Sequence, residues 1–154
     1  MPDHSIEKSR TSREAGGREG SPRRERERLL VLVVDDDIVS LEVTRERLER
    51  MGLEVAIREQ SLGTSRWILE NKPDLVLLDL MMPALTGAEL ARLLRRHMTK
   101  GVIVHSSLSP DELERVARDV GAIGGLSKSL GDREFTREMT RFIRLTRAEI
   151  EEAP

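Results

Sequence analysis

Apolar positions in this chain form short unbroken runs that alternate with longer stretches of helical spacing, and the pattern begins only at residue 29. Residues 29–34 (LLVLVV) are continuously apolar and lead into three aspartates, which predicts a strand buried on both faces. Ile38, Leu41, Leu48 and Met51 then recur at helical spacing, with Gly52 placed to end that helix. Residues 53–58 (LEVAIR) alternate in the manner of a strand nearer a sheet edge. A second helix is expected from about residue 62 to residue 71, before Pro73. Residues 74–79 (DLVLLD) read as another apolar strand with a carboxylate at its C-terminal end.

Thr86 and Glu89 have capping-box spacing and open a third helix with Leu90, Leu93, Leu94 and His97 on one face. Gly101 precedes a fourth strand over residues 102–107 (VIVHSS). Ser109 and Glu112 repeat the capping box, with Pro110 at the first helical position. The helix they open buries Leu113, Val116, Ala117 and Val120 and stops at Gly121. Residues 122–128 (AIGGLSK) form a glycine-weakened fifth strand. Phe135, Met139, Phe142, Ile143 and Ile150 then make one stripe of a long last helix. Five strands alternating with five helices predict a parallel sheet covered on both faces, with right-handed crossovers.

Residues 1–28 lack this periodicity. They are rich in Ser, Gly, Arg and Glu, and PRRERER at 22–28 mixes both signs of charge. Such a segment cannot bury a core and is expected to be a disordered tail, an inert or weakly solubilising extension, with a docking or polybasic role as the alternative that the interspersed glutamates weaken. Residues 149–154 read as a short acidic tail, which leaves one domain at 29–148. A net charge of −2 supplies no general attraction for nucleic acid or a lipid surface. The absence of cysteine removes disulfides, thiolate metal sites and cysteine nucleophiles from consideration. No apolar run is long enough to span a bilayer, and the N-terminus has no apolar signal core, so a cytoplasmic location is expected.

In open parallel sheets, ligands bind beyond the carboxyl ends of the strands. Asp35, Asp36, Asp79, Ser106 and Lys128 all fall at such ends. Taken singly each has a plainer role: Asp37, their neighbour, is expected simply to cap the helix from Ile38, Ser106 could serve a turn, and Lys128 could be a surface lysine. Together they define a chemistry. Clustered carboxylates repel one another unless a cation neutralises them, and magnesium suits carboxylate oxygens with waters retained. A carboxylate can also act as a nucleophile toward phosphorus. The transferring phosphoryl group then needs a hydroxyl donor and a fixed cation, which Ser106 and Lys128 would supply.

VLVVDDD at 31–37, LVLLDLMMPALTG at 75–87, VIVHSS at 102–107 and LSKS at 126–129 resemble the receiver domains of bacterial two-component response regulators. The resemblance spans about residues 29–148. It implies a flavodoxin-like (βα)5 doubly wound sheet of strand order 2-1-3-4-5, with Asp79 as phosphoacceptor. By the same resemblance Asp35, Asp36, Asp79 and the Met81 carbonyl would hold Mg2+, Ser106 would be the hydroxyl switch, and Lys128 the site lysine. Pro83 and Gly87 match turn and helix-entry positions. Two residues depart from the pattern. Ser129 stands where the family usually has a proline in a cis bond, and Gly125 stands at the aromatic switch position. Met81 and Leu108 would flank the phosphoryl group without any polar group to orient water, which predicts a slowly hydrolysed aspartyl phosphate.

The resemblance implies a switch phosphorylated by a sensor histidine kinase or a histidine phosphotransfer protein; with only the short acidic tail after residue 148, a stand-alone switch is expected, acting on a downstream protein by contact, phosphotransfer or homodimerisation. It implies neither a nucleic-acid nor a membrane partner, and no enzymatic turnover beyond the switch's own phosphorylation and dephosphorylation. A pseudo-receiver that binds partners without phosphorylation is the alternative, favoured by Gly125 and Ser129 and opposed by the complete set of five strand-end residues. An independent aspartate-nucleophile hydrolase is a third reading, and nothing in the sequence resembles a substrate cap. The histidines add little: His4 lies in the tail, His97 near a helix end and His105 inside a strand, none with metal-ligand spacing. Trp67 is the only tryptophan.

Overall fold

The computed structural model of the chain describes residues 6–8, 28–82, 89 and 101–152. In chain order the elements are β1 (Ile6–Lys8), β2 (Leu30–Val34), α1 (Ile38–Arg50), β3 (Glu54–Arg58), α2 (Thr64–Asn71), β4 (Leu75–Leu78), β5 (Val102–Ser106), α3 (Pro110–Val120), β6 (Gly124–Ser127) and α4 (Asp132–Glu152). They build one sheet of order β1-β3-β2-β4-β5-β6. All pairings from β3 through β6 are parallel, so the five parallel strands, numbered by themselves, run 2-1-3-4-5.

The unbroken apolar runs are explained by two cores, one on each face of the sheet. Leu30, Leu32 and Val34 of β2 point to the face covered by Trp67 and Ile68 of α2 and by Leu113, Ala117 and Val120 of α3. Val31 and Val33 point the other way, to Leu41 and Leu48 of α1 and Phe135, Met139 and Phe142 of α4. Successive strand side chains alternate between faces, so a strand covered on both must be apolar at every position.

Helix ends follow local rules. Asp37 accepts hydrogen bonds from the Val39 and Ser40 N–H groups at 2.9 and 3.3 Å, capping α1. The Gly52 N–H donates to the Glu49 carbonyl and the Leu53 N–H to the Leu48 carbonyl, with Gly52 at φ +80°, a Schellman ending that only glycine adopts without strain. Ser109 accepts from the Glu112 N–H at 3.4 Å at the start of α3, with Pro110 at the first helical position, as the spacing predicts.

Two expectations are corrected. Residues 1–28 are not without an element: Ile6–Lys8 pairs antiparallel with β3, with Ile6 opposite Arg58 and Lys8 opposite Ala56. β3 lies nearer the sheet edge, as its alternation predicts: it is the outermost of the five parallel strands, and with β1 along its outer side all five of its residues are buried. Its polar positions, Glu54 and Arg58, stand at its two ends. The boundary at residue 148 falls inside α4, which continues to Glu152, as the helical spacing out to Ile150 allows. The helix expected from Thr86, with Pro83, Gly87, His97 and the Met1–Ser5 segment containing His4, lies outside the described residues apart from Glu89. No described helix is long and apolar enough to cross a membrane.

Candidate functional site

The crossovers leave β2 in opposite directions, to β3 on one side and β4 on the other, so a crevice opens where β2 and β4 end side by side. Asp79 follows β4, and its N–H donates to the carbonyl of Val34, the last residue of β2, at 3.0 Å. Asp35 follows Val34, and its N–H donates to the Arg58 carbonyl at 3.1 Å. The ends of three parallel strands therefore fix the two carboxylates through backbone bonds. Both are buried, whereas Asp36 is exposed.

Each buried carboxylate divides its oxygens in the same way. Asp35 Oδ1 accepts from the Asp37 N–H at 3.0 Å, and Asp79 Oδ1 accepts from the Met81 N–H at 2.9 Å. Their Oδ2 atoms face Lys128, whose Nζ lies 2.6 Å from Asp35 and 3.0 Å from Asp79. Burial presses upward on the Asp35 pKa, but the Lys128 hydrogen bond, the Asp37 N–H and Ser40 outweigh it and hold this carboxyl below its ordinary value. At Asp79 burial prevails over the Met81 and Lys128 hydrogen bonds, the Asp35 charge adds to it, and the carboxyl is pushed up. Burial alone would lower Lys128, yet its two carboxylate partners raise it and keep it charged.

Asp35, Asp36 and Asp79 each offer an oxygen within 4.8 Å of the others. Three carboxylates against one ammonium leave two negative charges, and one of the three faces solvent. This donor set suits a hard divalent cation that keeps some of its waters. Met81 sits in the turn after β4, with its side chain exposed and its N–H on Asp79. Ser106 ends β5, buried, and its Oγ accepts from the Leu108 N–H at 3.2 Å, so the hydroxyl hydrogen remains to donate elsewhere. The Lys128 N–H donates to the Ser106 carbonyl at 2.8 Å, which fixes these two residues to each other across the last strand pair. All five expected strand-end residues thus stand at one end of the sheet, and four of them converge on a single crevice.

The departures from the receiver pattern have structural counterparts. The Lys128–Ser129 peptide is trans. A turn closes around it: the Leu130 N–H donates to the Ser127 carbonyl at 3.4 Å, and Ser127 Oγ takes the Ser129 N–H at 3.2 Å and lies 2.8 Å from Ser129 Oγ. At Gly125 an added Cβ would stand 2.5 Å from Leu113 Cγ, and at Gly124 2.6 Å from Phe142 Cε1. The paired glycines therefore serve close helix packing on both faces of β6, and Leu113 fills the place beside Gly125. His105 is buried beneath the site, its ring edge-on to Phe135 at 6.5 Å. Burial, then the charges of Lys128 and Arg47, lower its pKa to about 4, as a packed core histidine requires.

Sequence reading did not single out Arg47. It lies on α1, and its guanidinium meets Asp132 and the Leu130 carbonyl more than eighty positions away. No local spacing signals such a contact.

Residues 31–140 match the family described as the response regulator receiver domain. The phosphate regulon transcriptional regulatory protein PhoB of Pseudomonas aeruginosa is 31% identical over 127 residues, covering 80% of this chain and 56% of that protein. The transcriptional regulatory protein KdpE of Mycobacterium tuberculosis is 33% identical over 122 residues, covering 79% and 54% respectively. The chain thus spans about half the length of the curated relatives it matches. Among solved structures, the chemotaxis protein CheY4 of Vibrio cholerae superposes with a TM-score of 0.67 at 23% identity, covering 75% of this chain and 98% of that one.

Proposed function

Because the chain belongs to the family of response regulator receiver domains, we propose that it is a phosphorylation-dependent signalling switch with Asp79 as its phosphoacceptor. The observation that carries this reading is Lys128 Nζ standing against both Asp35 and Asp79 in a crevice ringed by three carboxylates. Asp35, Asp36 and Asp79, with the Met81 carbonyl, would hold Mg2+, which when bound offsets the negative charge of the incoming phosphoryl group. An Asp79 oxygen attacks phosphorus, the new O–P bond forms as the donor's P–N bond breaks, and the donor imidazole nitrogen leaves with the electron pair. Lys128 pairs with the phosphoryl oxygens in place of the Asp79 carboxylate, and the free hydrogen of Ser106 donates to one of them. The donor in this reading is a cytoplasmic histidine kinase or histidine phosphotransfer protein.

Output in this reading runs through protein contact, onward phosphotransfer or homodimerisation, by way of the turn and strand that carry Lys128. Transcriptional regulation is named for the longer relatives and describes those proteins. With Met81 exposed and Leu108 packed on the core beside α3, neither side chain orients water, so the aspartyl phosphate is expected to persist.

Incubation with acetyl phosphate, with and without Mg2+, read by intact mass, tests the proposal. One phosphoryl group gained only with Mg2+, and absent in Asp79→Ala, is the expected result. No gain by a chain folded by circular dichroism would instead favour a pseudo-receiver that binds partners without phosphorylation.

A further inference from the structure

We propose that Arg47 is a positioning residue for Lys128, fixing from α1 the turn that carries the lysine; this rests on the phosphoacceptor reading above. In the family pattern the lysine is followed by proline, whose ring restricts the backbone. Here Ser129 takes that place, and the turn must be held by other means. Within the turn only Ser127 contributes, through its bonds to Ser129. Gly131, next in the chain, has open space around it and adds no restraint of its own.

Arg47 supplies an external hold at three points. Its Nη1 donates to the Leu130 carbonyl at 3.2 Å, its Nε donates to Asp132 Oδ1 at 2.8 Å, and its guanidinium carbon lies 5.2 Å from the centre of the Phe135 ring. These contacts run along the segment that leaves Lys128, through the turn into the first turn of α4. Phe135 is buried, so the ring is a fixed floor for the guanidinium. The other end of α1 begins at Asp37, whose N–H holds Asp35. One rigid helix therefore connects the Asp35 side of the crevice to the turn that delivers the Lys128 ammonium.

The three contacts are unequal. The Arg47 side chain is 22% exposed and that of Asp132 is 70% exposed, so the ion pair alone contributes little. The bond to the Leu130 carbonyl and the stack on Phe135 need a planar, forked cation, which lysine cannot reproduce. The contacts of Arg47 run to Leu130, Asp132 and Phe135, on the segment that leaves Lys128, so its effect on the reaction is expected to act through the lysine.

The test is the initial rate of acetyl phosphate labelling in saturating Mg2+ for the full chain, Arg47→Gln, Arg47→Lys, Asp132→Asn, Lys128→Ala and the double variant Arg47→Gln/Lys128→Ala, each checked for folding by its melting curve. Arg47→Gln is expected to label about ten-fold more slowly, Arg47→Lys to recover little of that loss, and Asp132→Asn to stay within about two-fold of the unaltered chain. The double variant is expected to match Lys128→Ala, because two residues acting through one group are not additive. If Arg47→Gln labels at the unaltered rate, or its loss multiplies fully onto that of Lys128→Ala, the inference is overturned while the phosphoacceptor reading stands. Failure of the unaltered chain to label overturns both.

Discussion

His105 shows how the site's surroundings constrain single residues. It is buried among apolar groups under two cations, and its pKa falls from 6.5 to about 4. Folding therefore favours the neutral ring, and the unfolded chain binds the extra proton. The stabilisation is complete above about pH 6.5 and is lost as pH falls through about 4. The linked free energy is on the order of 3 kcal/mol. Urea midpoints between pH 7.5 and 4 should fall steeply for the unaltered chain and much less for His105→Leu; parallel curves would contradict this assignment. At Met81 and Leu108 the prediction concerns rate. Asn at both positions should speed loss of the phosphoryl group several-fold, measured by the decay of phosphorylated protein after acetyl phosphate is removed, and an unchanged half-life would show that water is not limiting there.

At the scale of elements, β6 depends on what its glycines leave out. An alanine methyl at position 124 would meet the ring of Phe142, which is fully buried and cannot swing away. Gly124→Ala should therefore cost about 1–3 kcal/mol, as overpacking does, in a thermal or denaturant unfolding curve. Gly125→Ala meets Leu113 at its Cγ and both methyl carbons, and Leu113 is itself buried in the core, so its cost should be similar. Equal stability of both variants and the unaltered chain would mean that the close approach is easily relaxed. The strands and helix caps were legible in the sequence because they obey local rules: unbroken apolar runs for strands covered twice, Asp37 and Ser109 as caps, Gly52 as a Schellman ending. What was not legible depends on partners distant in the chain. Ile6–Lys8 has no periodicity of its own and becomes a strand only against β3, and Arg47 finds Leu130 and Asp132 only once α1 and α4 share a face. Leu113 filling the space beside Gly125 likewise follows from packing.

For the whole molecule, the topology brings strand ends that lie far apart in sequence to one crevice, and this is why Asp35, Asp36, Asp79 and Lys128 could be grouped from the sequence once a parallel sheet was recognised. Their geometry carries a linked effect on stability. The carboxylates face one another with a single ammonium between two of them, so a bound divalent cation should stabilise the folded chain by mass action. Millimolar Mg2+ should raise the melting temperature of the unaltered chain, and the increment should shrink in Asp36→Asn; an equal increment in both would place the ion elsewhere. The most direct test of the central claim is chemical mapping of the phosphoryl group. After labelling with acetyl phosphate, borohydride reduction converts an aspartyl phosphate to homoserine, which peptide mass spectrometry locates. Homoserine at position 79 alone is the predicted result, and modification at Asp35, Asp36 or Ser106, with Asp79 unchanged, would contradict it.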